Sequence, residues 1–457
     1  MIILHINLKN LEKIKVYLML GFVCSFLINS FIFHKILEIL MVFLIIVIII
    51  FTLPLVRGFN KYLSVSLFII GIYLLSNNKA NLQDWMKALI ENAGLISLLL
   101  TVPLLGITLY YDDFQTNIAR ISEKHMKSNF SFYVITILMI NILGMLLNLA
   151  SLPLVHQIME RLSEKYSKES FYKALTRGFS TNILWSPNFV SVAVVLHYLK
   201  IPWYKIAPAG FSLALLATLL SIFIEKLNTV NKQKIKHEKT KSINENNGLI
   251  ILKLTFLIFF LIAFIIALEN YTHKSVLIIV PLVSFIAPLV LAIIFKKTNI
   301  YKIKFKEYLN YSLPRMNNEV LLFTSIGFLG YALSISGLNR YIPLIIEKLG
   351  FNTPATLIPL FLVVISVLSI AGVHPIISIS TIAVTLSDNT IPLSEIQMAL
   401  TLLAGYLMYT IISPFSAVTL IVSSISEQNP LNVSLKLNCV YAVLFGILAS
   451  LLLIFIG

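Results

Sequence analysis

Four apolar passages are interrupted by polar and helix-breaking residues, and these are the positions whose types and spacing could do chemistry. Residues 141–155 read NILGMLLNLASLPLV and residues 174–190 read ALTRGFSTNILWSPNFV. In the second half, residues 367–381 read VLSIAGVHPIISIST and residues 399–419 read ALTLLAGYLMYTIISPFSAVT. In hydrocarbon every peptide group needs an internal partner, so a Pro flanked by Ser and Asn inside such a run implies broken helix facing protein or a wet cavity. Half-helices that start at mid-membrane aim unpaired N–H groups and a positive dipole end into that cavity, which suits an anion. Such ends are expected near Pro153, Asn188, Pro375 and Phe415. None of the four interruptions contains Asp or Glu, whereas a proton or cation antiporter normally carries a carboxylate at that depth. The expected chemistry is capture and release of a small anion or neutral oxyacid, with no catalytic residue assigned.

On the first side the lining candidates are Asn148, Ser151, Thr181, Asn182, Ser186 and Asn188, with Ser180 beside them. On the second they are His374, Ser378, Ser413, Ser416 and Thr419, with Ser380 and Thr381 beside them. Their hydroxyls and amides can donate to a carboxylate or accept around a sodium ion. The bland alternative is that Ser and Thr satisfy freed carbonyls or cap half-helices, as they do in any kinked span. His374 is the one titratable side chain at an expected tip. Imidazole titrates near about pH 6.5, so it could carry a coupled proton or hold an anion, or it could stay neutral on a nearby carbonyl. Arg177 reads as a snorkelling, topology-fixing arginine, with a reach toward the anion as the alternative. Asp112, Asp113 and Glu319 read as span ends meeting headgroups or water.

These interruptions recur in order. Gly106 pairs with Gly330, Pro153 with Pro375, Ala174-Leu175-Thr176 with Ala399-Leu400-Thr401, and Ser186-Pro187 with Ser413-Pro414, at offsets of 224, 222, 225 and 227 residues. A duplicated unit with small insertions explains that drift, and paired interruptions in two halves point to a transporter binding site.

Composition sets the medium. Of 457 residues, 58% are hydrophobic and 12% charged, where a soluble chain carries about a quarter charged; the chain is therefore a polytopic membrane protein. The net charge of +15 does not signal nucleic acid, because Lys and Arg sit in short segments between apolar runs, as topology determinants do. Cys24 and Cys439 lie far apart in apolar spans, so neither a disulfide framework nor a metal cluster follows. No phosphate loop with its Lys is present, and no cofactor is expected beyond Na+ as a candidate coupling ion.

About eleven crossings are expected, near residues 16–33, 37–56, 62–75, 90–110, 178–199, 205–224, 250–268, 275–295, 319–336, 398–424 and 434–456. Residues 130–160 and 353–387 are too long for one crossing and break at their middles, and they read as two re-entrant hairpins. Basic residues then concentrate on one side. Lys165, Lys168, Lys173, the Lys-rich stretch 226–241 and Lys296 to Arg315 all fall inside if the N-terminus does, which places the C-terminus outside. The duplicated units become inverted-topology repeats. Segments 112–129, 160–173, 300–315 and 338–349 read as surface helices, and Trp85 and Trp203 as interface anchors near span ends.

The domain reading is then 1–89 as N-terminal scaffold helices, 90–225 as the first repeat and 226–248 as a cytoplasmic linker. Residues 249–318 follow as connecting scaffold helices and 319–457 as the second repeat.

Each copy, over about 90–225 and 319–456, resembles the ion transporter superfamily of divalent anion/sodium symporters, citrate carriers and arsenite exporters. The prolines of both tips match, and Ser186-Pro187-Asn188 and Ser413-Pro414-Phe415-Ser416 resemble that family's broken-helix loops. The Ser-Asn-Thr triplet of its hairpin tips is absent, which bears on sodium coupling and dicarboxylate recognition. The resemblance implies a homodimer in the cytoplasmic membrane moving a di- or tricarboxylate or inorganic oxyanion by an elevator displacement. A membrane-embedded enzyme on a lipid-linked substrate, and an uncoupled anion exporter or channel, remain the alternatives.

Overall fold

The computed structural model describes residues 2–56, 59–111, 126–229, 247–337, 346, 348–386 and 392–456, and every regular element among them is a helix. Most of the residues behind the surface-helix expectations for 112–129 and 338–349, and most of the linker, lie outside the described residues.

In chain order the helices are α1 (Ile2–Ile32), α2 (Lys35–Thr52), α3 (Phe59–Asn77), α4 (Leu82–Ile90) and α5 (Ala93–Thr101), the last continued by a 3-10 segment Val102–Tyr110. The first interrupted region gives α6 (Asn129–Leu147), α7 (Ser151–Ser163), α8 (Lys168–Thr181) and α9 (Val190–Leu199), followed by α10 (Trp203–Thr229) and α11 (Asn247–Thr272). Then come α12 (Val276–Ile294), α13 (Thr298–Glu307) and α14 (Asn317–Ser336). The second interrupted region gives α15 (Pro354–Ile370), α16 (Pro375–Leu386), α17 (Glu395–Ile412) and α18 (Ala417–Ser426), closed by α19 (Leu437–Ile454).

Nine described helical stretches are long and apolar enough to cross a membrane. Three of the eleven expected crossings fall to shorter apolar helices, Lys61–Asn77, Val190–Leu199 and Phe259–Thr272, while Asn129–Glu160 counts among the nine. Outward faces are apolar: α2 exposes Ile36, Ile39, Phe43, Ile46 and Ile50, and α10 exposes Phe211, Leu215, Leu219 and Phe223. Apolar surface on that scale requires a lipid neighbour. The chain is a polytopic helical membrane protein.

Local sequence explains several helix starts. Asn81 with Asp84, Ser128 with Ser131, and Ser394 with Gln397 form reciprocal capping boxes at α4, α6 and α17, satisfying end N–H groups that lipid could not. One surface-helix expectation is corrected. Residues 160–173 are not one helix, because α7 ends at Ser163 and α8 starts at Lys168, burying Phe171 completely. The apolar residues that suggested a surface helix belong to a helix–helix junction.

The described residues form two compact units that do not follow the linear domain boundaries. The first comprises Met1–Tyr111, His273–Leu349 and Ser380–Thr390. Within it α14 packs on α3 and α4, α1 on α2, and α12 on α5 and its 3-10 continuation. Buried polar ties fix these contacts: Asn92 Nδ2 donates to the Phe323 carbonyl at 2.9 Å and Tyr111 Oη to the Pro288 carbonyl at 2.6 Å. Lys15 is 1% exposed and donates to Asn317 Oδ1 at 2.6 Å.

The second unit comprises Asp112–Thr272, Gly350–Ile379 and Ile391–Gly457, and it holds the four interruptions apart from Ser380 and Thr381. Here α6 packs on α8, α15 on α17, and α10 and α19 close over them.

Candidate functional site

The first interruption is made by backbone geometry. Asn148 ends α6 at φ +50°, a region that Asn tolerates better than other non-glycine residues. Its carbonyl accepts from Ser151 Oγ at 2.7 Å as α7 begins. Residues Asn141, Gly144 and Asn148 recur at helical spacing and share one face of α6, and that face meets the first broken helix. Thr181 Oγ1 donates to Asn141 Oδ1 at 2.7 Å, and Asn182 Nδ2 donates to the Asn141 carbonyl at 3.0 Å. Gly144 is small for this reason, since a Cβ there would lie 2.7 Å from Asn182 Nδ2.

The break itself, Trp185 to Phe189, is laced to the same hairpin. Asn188 Nδ2 donates to the Met145 carbonyl at 3.1 Å, and Asn148 Nδ2 reaches the Asn188 carbonyl at 3.4 Å. Ser186 Oγ and Asn188 Oδ1 are buried with no hydrogen-bond partner.

The second interrupted region uses different residues. Gly372, at φ +91°, turns the chain between α15 and α16 against the Phe415 ring. Ser413 Oγ donates to the Ser369 carbonyl at 2.8 Å, tying the second break to its hairpin. His374 is half-buried, its ring 5.7 Å from that of Tyr409, and its Nδ1 accepts weakly from the Ile376 N–H at 3.4 Å. Ser378 Oγ is buried without a partner. Ser380 and Thr381 lie farther along α16, on the stretch assigned to the first unit.

The two supports adjoin one another within the second unit. α17 packs on α8, on α9 and on the turn Asn182–Leu184, and α18 packs on α7 and α8.

The four helix ends expected to be open are unequal. Ser416 caps α18, accepting from the Thr419 N–H at 3.1 Å while donating to the Thr410 carbonyl at 2.7 Å. Ser416 and Thr419 thus play the capping part that the bland reading allowed. The start of α16 is approached by His374, whereas α9 begins after Phe189 with no side-chain cap.

Two further readings are corrected. Arg177 does not snorkel: it is 2% exposed, its Nε donates to Asn438 Oδ1 at 2.9 Å and its Nη2 to the Leu437 carbonyl at 2.7 Å. Its guanidinium also lies 5.0 Å from the Tyr441 ring centroid, so it ties α8 to α19. Trp203 is 2% exposed, no interface anchor, and its indole N–H donates to the Trp185 carbonyl at 2.8 Å.

Asn141 and Trp203 hold the first broken helix, a part that sequence reasoning gave to neither. The seven-residue spacing from Asn141 to Asn148 was the available signal for the first. Nothing local marked the second.

No protein-family model and no curated protein sequence matches the chain. Solved structures do. The YdaH transporter of Alcanivorax borkumensis, described as having an unusual topology, aligns at TM-score 0.58 and 13% identity over 86% of this chain and 97% of that one. Neisseria gonorrhoeae MtrF, described as illuminating a class of antimetabolite efflux pumps, aligns at TM-score 0.53 and 12% identity over 84% and 83%. The chain, a polytopic helical protein with interrupted helices, has the fold of these membrane transporters.

Proposed function

We propose that the chain is a secondary active transporter of a small anion, a di- or tricarboxylate or an inorganic oxyanion, coupled to Na+ or H+. It works by alternating access, with an elevator-like displacement of the hairpin-bearing unit. The reading includes inverted repeats, a homodimer in the cytoplasmic membrane with the N-terminus inside and the C-terminus outside, and no nucleic-acid partner. The likeness to the ion transporter superfamily belongs to this proposal.

The observation that carries it is the set of buried polar atoms left without partners beside the breaks: Ser186 Oγ, Asn188 Oδ1 and Ser378 Oγ. An unsatisfied buried polar atom costs about 1–3 kcal/mol, which a ligand or ion supplying the missing bond recovers. The uncapped start of α9 adds N–H groups and a positive dipole end next to Asn188. Asn148, Ser151, Thr181, Asn182 and Ser413 serve mainly to shape the two joins, since their side chains are engaged with the hairpins.

The test is uptake into proteoliposomes of labelled dicarboxylates, citrate, sulfate and arsenite under imposed Na+ or proton gradients. Movement of one solute that is lost in S186A/N188A supports the reading. Absence of movement under every gradient, with turnover of lipid-linked substrates instead, overturns it in favour of a membrane enzyme. Export is the second reading, favoured by the likeness to MtrF, and preloaded vesicles assayed for efflux distinguish it.

A further inference from the structure

A buried carboxylate outside the four interruptions is wired to the one at residues 174–190. Glu269, in the last turn of α11, is 6% exposed. Its Oε1 accepts the backbone N–H of Trp203 at 3.2 Å, at the residue that opens α10, and its Oε2 has no hydrogen-bond partner. A carboxylate has acceptor sites on both oxygens, so a buried oxygen with no donor needs an explanation. Trp203 then passes the contact on through its indole N–H, which donates to the Trp185 carbonyl. Trp185 directly precedes Ser186-Pro187-Asn188. Gly210 on α10 lets the two backbones meet, since a Cβ there would lie 2.4 Å from the Leu184 carbonyl oxygen.

We propose that Glu269 is a proton-binding site whose occupancy sets the geometry of the first break; this rests on the transport reading for its use, though not for its existence. The proton adds to Oε2, giving a neutral acid, while Oε1 keeps its place over the Trp203 N–H. Loss of the charge weakens the acceptor at the positive end of α10, and the Trp203 indole carries the slackening to the Trp185 carbonyl. Access comes from the adjacent end of α11, where Tyr271, two residues on, is 86% exposed. The charged and titratable groups around the start of α10, Lys200, Tyr204 and Lys205, are exposed. His197 on α9 is engaged with the Tyr198 ring. Burial and the Trp203 N–H are the influences on the Glu269 carboxyl.

The chain carries three tryptophans, Trp85, Trp185 and Trp203, so W85F leaves two reporters, both inside this linkage. The full chain, purified in detergent without any added solute, is titrated from acid to alkaline pH while tryptophan emission is followed. The expected result is a one-proton transition in W85F that disappears in W85F/E269Q, whose amide oxygen still accepts the Trp203 N–H. In W85F/E269D the transition is kept with a moved midpoint. A transition absent from W85F, or unchanged in W85F/E269Q, overturns the proposal. Where the Gln variant loses its helical circular dichroism, the Asp variant decides, and an unmoved midpoint overturns the proposal. Because no solute is needed, this titration and the uptake assay can fail independently.

Discussion

Replacing Gly210 by Ala tests whether α10 is held against the first break by backbone contact. The added Cβ would lie 2.4 Å from the Leu184 carbonyl oxygen, 3.3 Å from its carbon and 3.3 Å from Trp185 Cβ, where ordinary contact begins at 3.4 Å. The atom met is main chain in a tight 3-10 turn, so no flexible side-chain end can yield, and α10 must retreat by about 1 Å. The same retreat stretches the Trp203 indole bond to the Trp185 carbonyl, now 2.8 Å, past the roughly 3.2 Å that such bonds tolerate.

Overpacking costs about 1–3 kcal/mol, and the weakened buried bond about 1 kcal/mol. Alanine returns about 1 kcal/mol of helix propensity. The net is a loss of about 1–3 kcal/mol, which lowers the apparent melting temperature by about 1–3 °C in detergent, followed by tryptophan emission. Gly446→Ala is the control: it makes the same propensity gain in α19, but its Cβ meets only the Met408 thioether end, at 3.1 and 3.2 Å. That side chain can move aside, so G446A should melt at or above the parent temperature. A G210A protein as stable as G446A would refute the close approach.

Arg177→Lys should destabilise by about 2 kcal/mol, because one ammonium cannot serve both Asn438 Oδ1 and the Leu437 carbonyl; a melt matching the parent would refute the tie. Ser186→Ala removes a buried atom without a partner, so stability should rise by about 1–3 kcal/mol while uptake falls. Ser416→Ala removes the α18 cap and should cost about 1 kcal/mol, so equal melts for the two serine variants would contradict the division of roles. His374→Asn keeps a capping acceptor near Ile376 without a titratable ring; it should preserve the melt and alter the pH profile of uptake, and an unaltered profile removes His374 from the mechanism.

The places where the chain breaks were legible because a Pro beside Ser or Asn in an apolar run leaves few alternatives in lipid. Asn148, Ser151 and Ser186-Pro187-Asn188 fall at the first interruption, and Gly372-Val373-His374-Pro375 and Ser413-Pro414 at the second. Which of those side chains is engaged was not legible. Ser186 and Ser416 are the same residue type, each within two residues of a matching proline, yet one is buried without a partner and the other caps a helix. That difference depends on whether an N–H three residues ahead comes within reach.

Composition and spacing alone determined that this is a membrane-embedded helical chain with two similarly interrupted halves, because apolar length and broken backbone obey the bilayer whatever their neighbours. Only tertiary structure decided the fates of the charged and aromatic residues. Arg177 and Trp203 read as interfacial by position along the chain, yet both are buried, as is Lys15. A long polar side chain lies inside wherever another helix offers Asn438, Asn317 or the Trp185 carbonyl to meet it. Those partners are 261, 302 and 18 residues away, and a hydrogen bond is set by proximity in space, which a local pattern does not encode.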